Sequence, residues 1–174
     1  MPVRPTDDPD LRTWLDAARP GAEPARRLES VYGEATHAIE QRGPVCWASG
    51  RCCDFDRAGH VLYVTGLEAA YVVNRLEAQH AQPDASATGL PVLNPGAIRG
   101  ACPFQRDNLC SVHTIKPLAC RTYFCQLDAQ QWVNDTTEQL HEQVRAIHQD
   151  HALPYAYGEW RAMLARFGVR PGEP

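Results

Sequence analysis

Seven cysteines fall in two groups along this chain, Cys46, Cys52 and Cys53 and then Cys102, Cys110, Cys120 and Cys125. Thiols grouped in this way are cross-linked, bound to a metal or inert in the core, and the first two uses require the groups to meet in the fold. A disulfide framework fits poorly. An odd count leaves a thiol over, and Cys52 and Cys53 are adjacent, a poor pair for a bond with each other. The opening stretch Met1 to Asp8 has no apolar core of the signal-peptide kind. The expected compartment is therefore the cytoplasm, where thiols stay reduced. A chain of 174 residues buries roughly two thirds of its unfolded surface, so it does not need cross-links or a metal merely to fold. The thiols then point to ligation of a soft metal, for which thiolates are the natural donors.

Charge removes other classes. With 17 Lys+Arg against 21 Asp+Glu the formal net charge is −4, which argues against a nucleic-acid-binding surface. The longest apolar runs are a few residues, too short to span a bilayer. No Ser-His-Asp order, Gly-rich phosphate loop or dinucleotide fingerprint is present. Whether the protein is an enzyme stays open, and no protein or small-molecule partner is named by the residues.

Periodicity predicts a mainly α fold with minor β: a small single domain over residues 1–174, its helices packed around two cysteine-rich irregular segments that form a metal centre. Leu11, Trp14, Leu15 and Ala18 share a helix face, with Pro9 at the first position and Arg19-Pro20-Gly21 as the stop. A second helix is predicted from about Pro24 to Gln41, burying Leu28, Val31, Tyr32, Ala35 and Ile39 before Gly43-Pro44. His60 to Val64 reads as a strand. Thr65 and Glu68 have capping-box spacing and open a helix to about Ala78, with Ala69, Val72, Val73 and Leu76 buried. Residues 81–100, rich in Pro, Gly, Ala and Ser, read as a loop. Asp135 and Glu138 repeat the capping-box spacing ahead of Leu140, Val144 and Ile147, and a last helix buries Trp160, Met163, Leu164 and Phe167. The helical C-terminal part is thus 135–168.

The first cysteine segment is Cys46-Trp-Ala-Ser-Gly-Arg-Cys52-Cys53. The second runs from Cys102-Pro-Phe through Cys110 and Cys120-Arg121 to Cys125. Gly50, Pro103, Asn108 and Pro117 supply the turns that let nearby thiols converge. No Cys-x-x-Cys pair occurs, unlike the knuckles of a zinc ribbon or a bacterial ferredoxin run. Spacing alone therefore indicates a soft-metal site without naming the metal.

These motifs resemble the YkgJ-like cysteine-cluster family, described as zinc- or iron-chelating proteins. Its first motif, Cys-x-x-Cys-x-x-Cys-Cys, appears here as Cys46, Ser49, Cys52 and Cys53, with serine at the second place. Its second motif is matched by Cys102-Pro103-Phe104, Cys110, Pro117, Cys120-Arg121 and Cys125. The chain departs at Lys116, where arginine is usual, and at His113, near an aromatic position. The two motifs span about 80 residues. The resemblance implies a cytosolic metal- or cluster-binding protein. A related cysteine pattern in flagellin lysine methylases, thought to carry an iron–sulfur cluster, favours iron without transferring that activity to this much shorter chain.

Seven thiols exceed the four that one cubane cluster takes. Two zinc ions would need eight ligands, which the seven cysteines and either His113 or His60 would supply. Because Ser49 replaces a family cysteine, a single [4Fe–4S] cluster is the preferred cofactor, with Zn2+ the alternative. Its expected ligands are Cys53, Cys102, Cys110 and Cys120, drawn from the full candidate set Cys46, Cys52, Cys53, Cys102, Cys110, Cys120 and Cys125. Arg121 and Lys116 are candidate cofactor contacts that would offset thiolate charge. The role would be redox, sensing or cluster-dependent catalysis; the zinc alternative is a structural or interaction module. Trp47, Tyr123 and Phe124 are candidates for shielding the site from water. Trp14, Trp132 and Trp160 read as core, and His141 and His148 as the polar boundary of a helix, with His151 nearby.

Overall fold

The computed structural model describes residues 8–46, 49–81 and 101–169. Within them the chain is mostly helical with a few short strands. α1 (Pro9–Ala17) starts with Pro9 in the first turn and Asp8 as cap, whose side chain accepts the Asp10 amide at 3.0 Å. α2 (Glu23–Arg42) ends at Gly43, which takes the left-handed conformation that terminates helices. A short α3 (Phe55–Ala58) follows the first cysteine segment. Then come β1 (Tyr63–Thr65), α4 (Gly66–Ala81), the hairpin strands β2 (Gln105–Arg106) and β3 (Leu109–Cys110), and α5 (Leu118–Thr122). A single 3-10 turn, Leu127–Ala129, leads into α6 (Gln130–Asp150), and β4 (Tyr157–Glu159) runs into α7 (Trp160–Arg166).

α2 lies along α6 and α1 along α4, while α5 touches both α2 and α6. β4 pairs antiparallel with β1, Val64 opposite Gly158, and so brings α7 against α4. The core between these layers holds Trp14, Leu28, Phe55, Leu67, Phe104, Leu118, Ile147, Trp160 and Leu164, all buried. Among the described residues, no helix is long and apolar enough to cross a membrane.

The Thr65–Glu68 capping box forms in both directions. The Glu68 carboxylate accepts the Thr65 amide at 2.8 Å, and the Thr65 hydroxyl accepts the Glu68 amide at 3.3 Å. Several local expectations are corrected. The strand is Tyr63–Thr65 and not His60–Val64, and it needs β4, a partner without a strand pattern of its own. α4 continues to Ala81. α6 begins at Gln130, whose side chain donates to the Phe124 and Gln126 carbonyls, so Asp135 and Glu138 lie inside that helix. Trp132 is half-buried, whereas Trp14 and Trp160 are buried. His148 is buried, its Nδ1 2.9 Å from the Pro154 carbonyl, and is not a boundary residue. The loop expected at 81–100 lies outside the described residues after Ala81.

Gly66 is required where β1 turns into α4. A Cβ there would sit 2.4 Å from two indole carbons of Trp14, whose Nε1 donates to the Pro154 carbonyl at 2.7 Å. The ring is fully buried and cannot swing aside. Gly66→Ala is expected to destabilise the fold by about 1–3 kcal/mol, the usual cost of overpacking. Chemical denaturation should show a lower midpoint at unchanged slope.

Candidate metal centre

All seven cysteines are free thiols, and all seven line one cavity of about 710 Å³. The first group is delivered by a turn: the Cys53 and Asp54 amides both donate to the Gly50 carbonyl, at 3.0 and 3.1 Å, before Asp54 caps α3. In the second group, Asp107 and Asn108 both have positive φ (47° and 64°). That is the two-residue turn that matches hairpin twist, and it sets Cys110 opposite Gln105. Cys120 is not in an irregular segment; it lies on α5, between Ala119 and Arg121.

Two hydrogen bonds to backbone carbonyls fasten the groups together. The Cys102 amide donates to the Cys53 carbonyl at 2.6 Å, and Gln105 Nε2 donates to the Gly50 carbonyl at 3.0 Å. Gly50 is buried with φ +71°, and a Cβ on it would meet Gln105 Nε2 at 2.7 Å and the Asn108 carbonyl at 2.9 Å. The close approach of the two segments is thus made at a residue with no side chain.

Four thiols lie close together. Cys53 Sγ is 3.9 Å from Cys52 Sγ and interacts with the thiols of Cys102 and Cys110. The Cys53 pKa is raised, first by its interactions with Cys102, Cys110 and Cys52 and then by burial. The neighbours shift the other way: Cys52 is lowered to about 6 and Cys110 to about 7, in each case mainly through Cys53. Cys102 is also lowered, first by Cys53, against burial, and further by the Trp160 side chain. Cys120 faces this group and is raised by burial and then by the nearby Cys102 and Cys110. Cys46 is exposed and Cys125 half-buried, at the outer part of the cavity. Their segments are tied by the Val45 amide donating to Gln126 Oε1 at 2.7 Å.

The donor set fits a thiophilic cation. Thiolates are soft donors, and a metal ion would draw off the charge of the thiols whose pKa is lowered here. Among the described residues no three His, Cys, Asp or Glu side chains yet form a ligand set around a common point; Cys52 and Cys53 instead touch each other. Positive charge is already provided. Lys116 lowers Cys52 and Cys110 through its charge, and Arg121 lines the cavity with its guanidinium 4.2 Å above the Tyr32 ring. Arg121 Nε is buried without an acceptor, which a negatively charged centre in the cavity would supply.

The histidines divide. His113 lines the cavity, but its Nε2 is 3.2 Å from Lys116 Nζ, and the lysine charge lowers its pKa. His60 is absent from the cavity wall; its ring stacks on Tyr123 at 4.3 Å and meets Phe55 edge-on. Ser49, at the substituted cysteine position, is exposed on the cavity wall. Tyr123 and Phe124 also line it, and Trp47 falls outside the described residues. Two contributors were hidden in the sequence. Trp160 reads there only as core, yet it reaches Cys102. Ile39, placed on the buried stripe of α2, is half-buried on the cavity wall.

A family model with the description "CxxCxxCC: Putative zinc- or iron-chelating domain" matches residues 45–142, more than half of the chain and all seven cysteines. No curated protein and no solved structure matches. By the extent of that match, the chain belongs to the CxxCxxCC family of zinc- or iron-chelating domains, the YkgJ-like family, and metal binding is the property it shares with it.

Proposed function

We propose that the chain holds an iron–sulfur cluster of the [4Fe–4S] type in this cavity, with a redox, sensing or cluster-dependent catalytic role in the cytoplasm. The ligands in this reading are Cys53, Cys102, Cys110 and Cys120. The observation that carries it is the convergence of seven thiols on one cavity of about 710 Å³. A lone zinc closed by thiolates at about 2.3 Å leaves most of that space without a use. Bound there, a cluster supplies one-electron chemistry, or Lewis acidity at an iron. The chain's residues do the rest. Lys116 and Arg121 offset the thiolate charge, Trp160 points at Cys102, and Tyr123 and Phe124 limit the approach of water.

One distance favours zinc as a second reading. Cys52 and Cys53 have sulfurs 3.9 Å apart, close to the edge of a zinc tetrathiolate tetrahedron, about 3.8 Å for bonds of 2.3 Å. Zinc would then serve a structural or interaction module. Purification without oxygen separates the two. A brown protein with iron and acid-labile sulfide in equal amounts is the expected result. A colourless protein carrying stoichiometric zinc would overturn the cluster in favour of the module.

A further inference from the structure

Glu68 does more than cap its own helix. Its carboxyl group is 1% exposed, and a carboxylate is costly to bury unless its oxygens are bonded. Oε2 accepts the amide of Thr65 at 2.8 Å and its hydroxyl at 2.9 Å, which completes the capping box of α4. Oε1 is turned the other way and accepts the Leu118 amide at 2.9 Å, across 50 residues of sequence. Leu118 is the first residue of α5, and Pro117 before it offers no side-chain cap. The leading amides of a helix have no acceptor within it. Glu68 therefore supplies from another element the cap that α5 lacks locally. Two residues later the same short helix presents Cys120 and then Arg121 to the cavity.

We propose that Glu68 is a positioning residue of the metal centre: by holding the first amide of α5 it fixes where Cys120 and Arg121 stand on the cavity wall. This rests on the metal reading above, with Cys120 as a ligand. One side chain thereby ties the start of α4 to the start of α5, so the α4 cap and the site share a single buried carboxyl group.

Glu68→Gln separates the two duties. A glutamine still caps α4, since the capping box accepts either residue. With its oxygen toward Thr65, however, it presents an NH2 group to the Leu118 amide. Thr65→Val is the comparison: it weakens the α4 cap and leaves the Leu118 contact in place. All proteins are purified without oxygen, and metal content, visible spectrum, denaturation midpoint and rate of metal loss to a chelator are measured. Glu68→Gln is expected to lose metal about tenfold faster or more, within the usual range for groups that orient a ligand, with an altered spectrum. Thr65→Val should match the wild type in both at a comparable loss of stability. If Glu68→Gln does not fold, Leu118→Pro carries the same test. It removes the amide hydrogen at a position that tolerates proline, together with the buried leucine side chain, and Leu118→Ala, which keeps the amide, controls for the lost packing. A wild-type protein that holds metal beside a Glu68→Gln variant with unchanged spectrum and release rate overturns this proposal alone. Equal loss in Glu68→Gln and Thr65→Val also overturns it. A wild-type protein without metal overturns the metal reading on which it rests.

Discussion

Cys53→Ser empties the site: metal content after anaerobic purification is expected to fall from stoichiometric to near zero. Cys53 lies against Cys52 and is the leading influence on the Cys52, Cys102 and Cys110 thiols alike, so its loss removes what these thiols have in common. Serine is close to cysteine in size, and the backbone bond from Cys102 to the residue 53 carbonyl does not depend on the side chain. The fold should survive, because the core around Phe55, Phe104 and Trp160 needs no metal to be buried. An alkoxide is a hard ligand and a poor replacement for thiolate on zinc or a cluster. Each tenfold weakening of metal affinity corresponds to about 1.4 kcal/mol of binding free energy. Cys46→Ser is the contrasting variant, since Cys46 is exposed at the edge of the cavity; it should keep most of its metal. Full metal retention in Cys53→Ser would remove Cys53 from the ligand set.

Gly50→Ala should damage the site by a different route. The left-handed backbone costs a non-glycine residue about 1–2 kcal/mol. The added methyl also runs into Gln105 Nε2 and into Asn108, whose carbonyl is backbone and cannot rotate away. The strain falls on the contact that holds the first cysteine segment against the β2–β3 hairpin. Relief requires the two segments to separate, and Cys52 and Cys53 then move away from Cys102 and Cys110. The expected result is a protein with near-wild-type helical content by circular dichroism and strongly reduced metal. Gly59→Ala is the control. Gly59 also has positive φ (71°) but nothing within 4 Å of its Cβ position, so it carries the backbone cost without the clash. If the two variants kept equal amounts of metal, the close approach at Gly50 would not matter to the site.

Features with local causes could be read from the sequence. Gly43 stops α2 and Thr65 with Glu68 starts α4, because each depends on residues within a turn. Apart from Leu15, Ile39 and Leu76, which are half-buried, the apolar stripes of α1, α2 and α4 are where periodicity puts them, since burial of one helix face needs no knowledge of the partner. Other features depend on a distant partner. β4 is three residues long and exists because β1 lies beside it. Asp135 has the spacing of a cap, yet α6 starts earlier, where Gln130 folds back onto the Phe124 and Gln126 carbonyls. Ile39 has the right phase for burial but sits where α2 passes the cavity.

The site shows the same division. Spacing and turn residues indicate that thiols gather, and the fold brings all seven to one cavity. Which sulfurs touch is not a property of spacing. Cys52, left out of the expected four ligands, lies against Cys53. His60, a candidate ligand by proximity in sequence, is drawn off by stacking on Tyr123. The bond from Glu68 to the α5 amide links residues 50 apart, and no local pattern marks it.

X-ray absorption at the edge of the bound metal tests the ligation most directly. The expected result, for iron or zinc, is a nearest shell of sulfur, which for iron is joined by a second shell of neighbouring iron atoms. A nearest shell of nitrogen or oxygen in protein that still holds stoichiometric metal would contradict ligation by these cysteines.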